Sequence, residues 1–140
     1  MADQLRVRLV APDRILVDQT VDAVELPGKN GYFEVLYGHA PLLAELGAGD
    51  VRVHGGTGED TGGEQIYNVS WGFVEVLPER VTILANDALR PNEIDIPRAQ
   101  QQLDRGQKMW QEAGESEEAY DRALHVINEA EAKLATAQEK

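Results

Sequence analysis

From Leu5 to about Asn86, apolar and polar residues alternate in short runs separated by turn residues. Leu5, Val7 and Leu9 alternate with polar positions, Ala11-Pro12-Asp13-Arg14 turns, and Ile15 and Val17 resume the pattern. Val21, Val24 and Leu26 then precede the turn-rich stretch Pro27-Gly28-Lys29-Asn30-Gly31. Further runs span Tyr32 to Leu36, Val51 to Val53, Ile66 to Val69, Gly72 to Leu77 and Val81 to Ala85, the last two joined by Pro78-Glu79-Arg80. Valine-rich runs with a period of two predict strands. Each short strand must bury one face against a second sheet, so residues 1–88 are expected to form an antiparallel β-sandwich. Gly55 to Glu64, rich in glycine, threonine and acid, reads as a long flexible hairpin tip.

After Asn86 the period becomes that of helices. Pro91-Asn92-Glu93 reads as a linker, and Asp95 is placed to cap a helix, its carboxylate accepting from first-turn N–H groups that have no intrahelical partner. Pro97 is tolerated in that turn for the same reason. The first helix is predicted to run to about Trp110 on a thin stripe of Ile96, Ala99, Leu103 and Trp110. Gly106 interrupts it at a cost of about 1 kcal/mol relative to alanine. Glu112-Ala113-Gly114-Glu115 ends that helix, and Ser116 caps a second whose first turn carries Glu117 and Glu118, the favourable sign for the helix dipole. Tyr120, Ala123, Leu124, Ile127, Ala130, Leu134 and Ala137 share one face of this second helix. Residues 89–140 are therefore expected to form an antiparallel two-helix hairpin, making the chain α+β in two parts. Neither helix is apolar enough to be stable without a partner surface, so the hairpin could detach and re-dock.

Composition narrows the chemistry. The 140 residues carry a formal charge of −12, which repels phosphate backbones and argues against a nucleic-acid partner. The absence of cysteine excludes disulfides, thiolate nucleophiles and thiolate zinc sites. The N-terminus lacks an apolar signal core and no later run approaches the roughly 20 residues of a membrane span, so a cytoplasmic protein is expected, one that could still dock on a membrane complex.

Searching for a catalytic centre yields little. His39, His54 and His125 include no i, i+4 pair that would aim two imidazoles at one metal, so no metal site is expected. Ser70 lacks the Gly-x-Ser-x-Gly elbow of a nucleophile and reads as a strand-bend residue. The glycine-rich run from Gly55 lacks the Gly-Lys-Ser/Thr ending of a phosphate loop and contains Glu59 and Asp60. The remaining features concern interaction. Tyr37-Gly38-His39-Ala40-Pro41-Leu42-Leu43 is either a packed turn or a binding edge. Asp95 and Arg98, three apart on one helix face, read as an ion pair, with Arg105 a lone surface arginine two turns on.

Gly38-His39-Ala40-Pro41-Leu42-Leu43, Val69-Ser70-Trp71-Gly72-Phe73-Val74-Glu75-Val76 and Val81-Thr82-Ile83-Leu84-Ala85 resemble, in order and spacing, the signature blocks of the ATP synthase epsilon-subunit family. Val10-Ala11-Pro12-Asp13-Arg14 is similar to that family's first strand and turn, so the resemblance covers nearly the whole chain. It implies a β-sandwich followed by a helical hairpin, in agreement with the periodicities. It further implies a non-catalytic rotor subunit of a proton-translocating ATP synthase, peripheral on the cytoplasmic face of the bacterial inner membrane. There the sandwich would bind the gamma subunit and sit on the c-ring. The alternatives without the resemblance are a β-sandwich interaction module unrelated to ATP synthase and a small hydrolase using Ser70.

By position, Lys29-Asn30-Gly31-Tyr32 resembles the family's turn facing the c-ring, with Tyr32 where the family usually has an acid. Tyr37 replaces a common proline and Trp71 a common glycine. Ile94-Asp95-Ile96-Pro97-Arg98-Ala99 resembles the family's ATP-binding motif, and Arg105 falls where ATP-binding members carry a second arginine. Leu89 stands where strong binders have Glu, and Glu129 and Lys133 where they have Arg. The expectation is therefore no bound cofactor and weak or absent regulatory ATP binding, with the motif surviving mainly as a helix cap and ion pair. In the family the hairpin can extend into the catalytic hexamer and inhibit hydrolysis. Here its acids outnumber its bases, which predicts poor inhibition if the block depends on basic residues.

Overall fold

A computed structural model describes residues 4–56 and 63–138; the centre of the expected hairpin tip, residues 57–62, lies outside them. Contacts divide the chain into two compact units, one ending at Arg90 and the other beginning at Pro91. The first unit contains strands β1 (Leu5–Ala11), β2 (Arg14–Val21), β3 (Ala23–Gly28), β4 (Gly31–Leu36), β5 (Leu42–His54), β6 (Glu64–Leu77) and β7 (Arg80–Leu89). The second contains a 3₁₀ turn at Pro91–Glu93 and helices α1 (Ile96–Glu112) and α2 (Glu117–Gln138).

The seven strands form one hydrogen-bonded ladder in the order β2-β1-β7-β6-β5-β3-β4. Every pairing is antiparallel except β1 with β7, which run parallel from Arg6↔Arg80 to Val10↔Leu84. The expected antiparallel sandwich thus contains one parallel pair: chain reversals by tight turns dictate antiparallel neighbours, whereas β1 and β7 are joined by no local turn.

The ladder becomes a sandwich by folding over across its three longest strands. In β6 the buried positions are Tyr67 and Val69, then Val74 and Val76, so the inward phase changes from odd to even. Leu46 gives way to Val51 and Val53 in β5, and Ile83 and Ala85 give way to Ala88 in β7. Gly47, Trp71 and Asn86 are the positions passed over at the same level of the two ladders. At the fold Trp71 has φ 58° and Gly72 has φ 132°. A Cβ on Gly72 would collide with the carbonyl oxygen of Leu84, so glycine is required there on both counts. The two halves thereby turn their buried faces toward one core, which includes Leu5, Val7, Leu9, Val24, Leu26, Val69 and Ile83, each fully buried.

The two short strands expected around Ile66–Val69 and Gly72–Leu77 are therefore one, because a change of alternation phase within a strand looks like a break between strands. Likewise β5 begins at Leu42, so the last two residues of the expected Tyr37–Leu43 loop already belong to a strand.

In the helical unit Asp95 caps α1 with φ −84° and ψ 98°, and Ser116 Oγ accepts from Ala119 N–H at 3.2 Å ahead of α2. Gly114, at φ 60°, makes the turn between them. Ala123, Ala130 and Ala137 are buried along α2 together with Thr136, whose hydroxyl donates to Ala132 O at 2.8 Å. Gly106 is buried, and a Cβ there would stand 2.8 Å from Ile127 Cγ1 and 3.1 Å from Val126 Cγ1. What reads in sequence as a defect of α1 is the point where α2 passes closest.

Candidate functional site

The Ile94–Ala99 segment forms the start of α1. Asp95 Oδ1 accepts from the backbone N–H of Arg98 at 3.1 Å, so the two residues are linked as a cap and the expected side-chain ion pair is not formed. A carboxylate at this position satisfies an orphan donor and sits favourably in the helix dipole, which favours capping over reaching for a flexible guanidinium. Ile94 and Ala99 are buried, whereas Arg98 and Arg105 are exposed and neither has a side-chain partner among the described residues. The two arginines are seven residues apart, which places them about 10 Å apart along the axis. On α2, Lys133 Nζ donates to Glu129 Oε1 at 2.9 Å with most of the lysine side chain buried.

Lys29 and Asn30 form the two-residue turn between β3 and β4, followed by Gly31 at φ 136°. Lys29 is held twice by one residue: its N–H donates to Glu45 O at 3.0 Å and its ammonium lies 3.0 Å from Glu45 Oε2. Tyr32 does not project freely from this turn. Its hydroxyl accepts from Asp50 N–H at 2.9 Å, and its ring end lies where a Cβ on Gly49 would be.

The Gly38–Leu43 block is a packed turn that leads into exposed leucines. Gly38, at φ 90°, donates its N–H to Pro78 O at 2.6 Å, and His39 N–H donates to Leu36 O at 3.1 Å, so the backbone is a packed turn against the β6–β7 connection. His39 Nδ1 lies 2.7 Å from Ala40 O. Leu42 and Leu43 then emerge on β5 at 39% and 73% exposure, and Leu36 and Tyr37, which precede the block in sequence, are exposed as well.

The outer face of the ladder carries an apolar row that sequence inspection did not reveal. Phe73 on β6 faces Leu84 on β7, Leu84 is registered with Val10 on β1, and Val10 with Ile15 on β2. Phe73, Leu84 and Ile15 are each more than half exposed. The residues come from two hairpins distant in sequence, β1–β2 and β6–β7, and the parallel β1–β7 register aligns one with the other.

A second cross-strand group joins Glu25, Glu34 and His54, whose ligand atoms all lie within 4.8 Å of one another. His54 Nε2 lies 2.9 Å from Glu25 Oε1, the carboxylate accepting. The sequence search for i, i+4 histidines could not find a group assembled across three strands. Ser70, the one nucleophile considered, is buried in β6.

Residues 4–91 match the family model described as the ATP synthase, Delta/Epsilon chain, beta-sandwich domain. The chain is 41% identical to the ATP synthase epsilon chain of Solibacter usitatus over the whole of both proteins. It is 43% identical to that of Koribacter versatilis over 115 residues, 81% of this chain and 77% of the relative. In solved structures, its fold matches a chain of the Euglena gracilis mitochondrial ATP synthase OSCP/F1/c-ring assembly with TM-score 0.77 at 22% identity, covering 100% of this chain and 84% of the other. A chain of the Tetrahymena thermophila mitochondrial ATP synthase central stalk/c-ring structure matches with TM-score 0.67 at 15% identity, covering 95% and 96%. These matches set aside the interaction module unrelated to ATP synthase: the chain belongs to the ATP synthase epsilon-chain family.

Proposed function

We propose that this protein is a non-catalytic central-stalk subunit of a proton-translocating ATP synthase. In this reading its sandwich binds the gamma subunit and rests on the c-ring at the cytoplasmic face of a bacterial inner membrane. The observation that carries the reading is the exposed apolar row Phe73–Leu84–Val10–Ile15. Contiguous apolar surface on a small soluble unit favours burial against a partner, and a flat strand face suits an elongated one. The Tetrahymena relative's place in a central stalk/c-ring structure supports the same assignment. On the c-ring side, the Lys29–Asn30 turn is the candidate contact. Tyr32 contributes to it by fixing the turn's base through Asp50, rather than by a charge.

The hairpin is the candidate regulatory element, and its ligand response is expected to be weak. Arg98 and Arg105 are available to phosphate, but Glu129 and Lys133 neutralise each other on α2, so that helix offers no free cation at those positions. If inhibition depends on basic residues meeting an acidic catalytic subunit, the hairpin's excess of acids over bases predicts a poor block.

Reconstitution with the cognate gamma subunit tests the main assignment. Leu84→Glu and Phe73→Glu should fold normally yet lose co-purification with gamma, and intact binding by both variants would overturn the proposed face. Calorimetric titration with MgATP, repeated on Arg98→Ala, tests the hairpin. Saturable binding abolished by that substitution would show a functional nucleotide latch and refute the weak-binding expectation.

A further inference from the structure

We propose that the outer face of β7, β1 and β2 carries a pocket for a dianionic phosphate group, separate from the ATP motif on the hairpin. Arg6, Arg8, Asp18, Arg80, Val81 and Thr82 line a cavity of about 350 Å³ in the sandwich unit. The register assembles it. Arg6 lies directly opposite Arg80 across the parallel β1–β7 pair, and Arg8 lies opposite Thr82 on one side and Asp18 on the other. Neighbouring strands are about 4.8 Å apart, so the guanidinium groups share one concavity.

The charge in this concavity is unbalanced. Arg6 Nη2 and Nε lie 2.7 and 3.2 Å from Asp18 Oδ1, and Arg8 Nε lies 3.8 Å from Asp18 Oδ2, so one carboxylate serves two arginines. Arg80 has no side-chain partner among the described residues. Three guanidinium groups and one carboxylate leave two net positive charges, although the chain as a whole carries −12. Clustering like charges on adjacent strands is unfavourable unless a counter-charge completes the group.

The number of donors selects the ligand. A carboxylate offers two oxygens and one charge, which Asp18 already supplies. A phosphate monoester or inorganic phosphate offers three or more acceptor oxygens and about −1.5 to −2 charge near neutral pH, enough to engage Arg80, Arg6 and Arg8 together. The Thr82 hydroxyl is a further donor on the same wall. Free phosphate and the phosphomonoester of a lipid headgroup present this same chemistry.

The test uses the full chain. Calorimetric titration with inorganic phosphate, against chloride of equal ionic strength, is paired with the phosphate dependence of the thermal midpoint, which detects binding even when its enthalpy is small. Arg80→Gln, confirmed folded by circular dichroism, should weaken binding by about tenfold to a hundredfold, whereas Arg122→Gln, at an exposed position on α2, should leave it unchanged. In parallel, phosphatidylcholine vesicles with and without phosphatidic acid distinguish the sources. Arg80-dependent binding confined to the phosphatidic acid vesicles would place a headgroup in the pocket. Equal responses from the wild type and Arg80→Gln, or no saturable response to either probe, would overturn the proposal.

Discussion

A methyl group added to Gly106 would stand 2.8 Å from Cγ1 of Ile127, closer than packed carbon atoms approach. Two effects therefore oppose each other at this position. Glycine costs α1 about 1 kcal/mol of helix propensity relative to alanine, whereas overpacking a close contact costs about 1–3 kcal/mol. Ile127 N lies 3.2 Å from the same point, so the backbone of α2 as well as two side chains would have to move. Packing should win: Gly106→Ala should lower hairpin stability by about 1 kcal/mol net. Loss of helical circular dichroism on heating or in urea measures it, and a stabilised hairpin would show that the helices do not pass this closely in solution.

The cap at Asp95 should be separable from any nucleotide role of the same motif. Asp95→Ala should destabilise α1 by about 1 kcal/mol, and Asp95→Asn by much less, because asparagine can accept from Arg98 N–H equally well. Arg98→Ala should leave helix stability within about 0.5 kcal/mol, since its side chain is exposed and has no partner among the described residues. Helical content during urea titration distinguishes the three variants.

Tyr32 and Gly49 form a coupled pair. A Cβ on Gly49 would overlap the Tyr32 hydroxyl and stand 2.9 Å from Pro27 Cβ. Gly49→Ala should therefore cost about 1–3 kcal/mol in the wild type and less when Tyr32 is already alanine. The residual cost reports the Pro27 contact. A double-mutant cycle by chemical denaturation measures the coupling, and simple additivity would contradict it. Tyr32→Phe alone should cost about 1 kcal/mol by removing the hydroxyl that accepts from Asp50 N–H.

Gly72→Ala should be the most damaging glycine substitution in the sandwich, at about 3 kcal/mol or more, because both the φ of 132° and the Leu84 carbonyl oppose a side chain. Expression and thermal unfolding check this, with Gly63→Ala, where a Cβ meets nothing within 4 Å, as the internal control.

What the sequence disclosed depended on how locally each feature is determined. The Asp95 cap, the Gly114 turn, the Ser116 cap and the change from period two to helical period all rest on neighbours a few residues apart, and each could be read directly. Gly106 could not be interpreted without knowing that Ile127 lies across from it. The unity of β6 was hidden because the phase change at Trp71–Gly72 mimics a strand end. The candidate surfaces were the least visible: Phe73 and Leu84 meet Val10 and Ile15 only through the parallel β1–β7 register. Arg6 and Arg80, brought together by the same register, are 74 positions apart in a chain whose overall charge suggests no anion site at all.

The folded-over ladder also bears on how the protein avoids self-association. A sandwich of two independent sheets exposes four edge strands, each offering unpaired N–H and C=O groups to another chain. Here β5, β6 and β7 carry the hydrogen bonding from one layer into the other, so two of the edges are halves of long strands, the start of β5 before Leu46 and the end of β7 after Leu84, while β2 and β4 end the ladder. β4 is six residues long, carries Glu34 on its exposed surface and begins at a glycine, while β2 places Asp18 outward and is matched to β1 through a register shift near Val10. Short, charged and irregular edges are poor templates for strand addition. The apolar row on the face reaches the edge strand β2 through Ile15, so the register shift beside Val10 guards the place where the docking surface meets the end of the ladder.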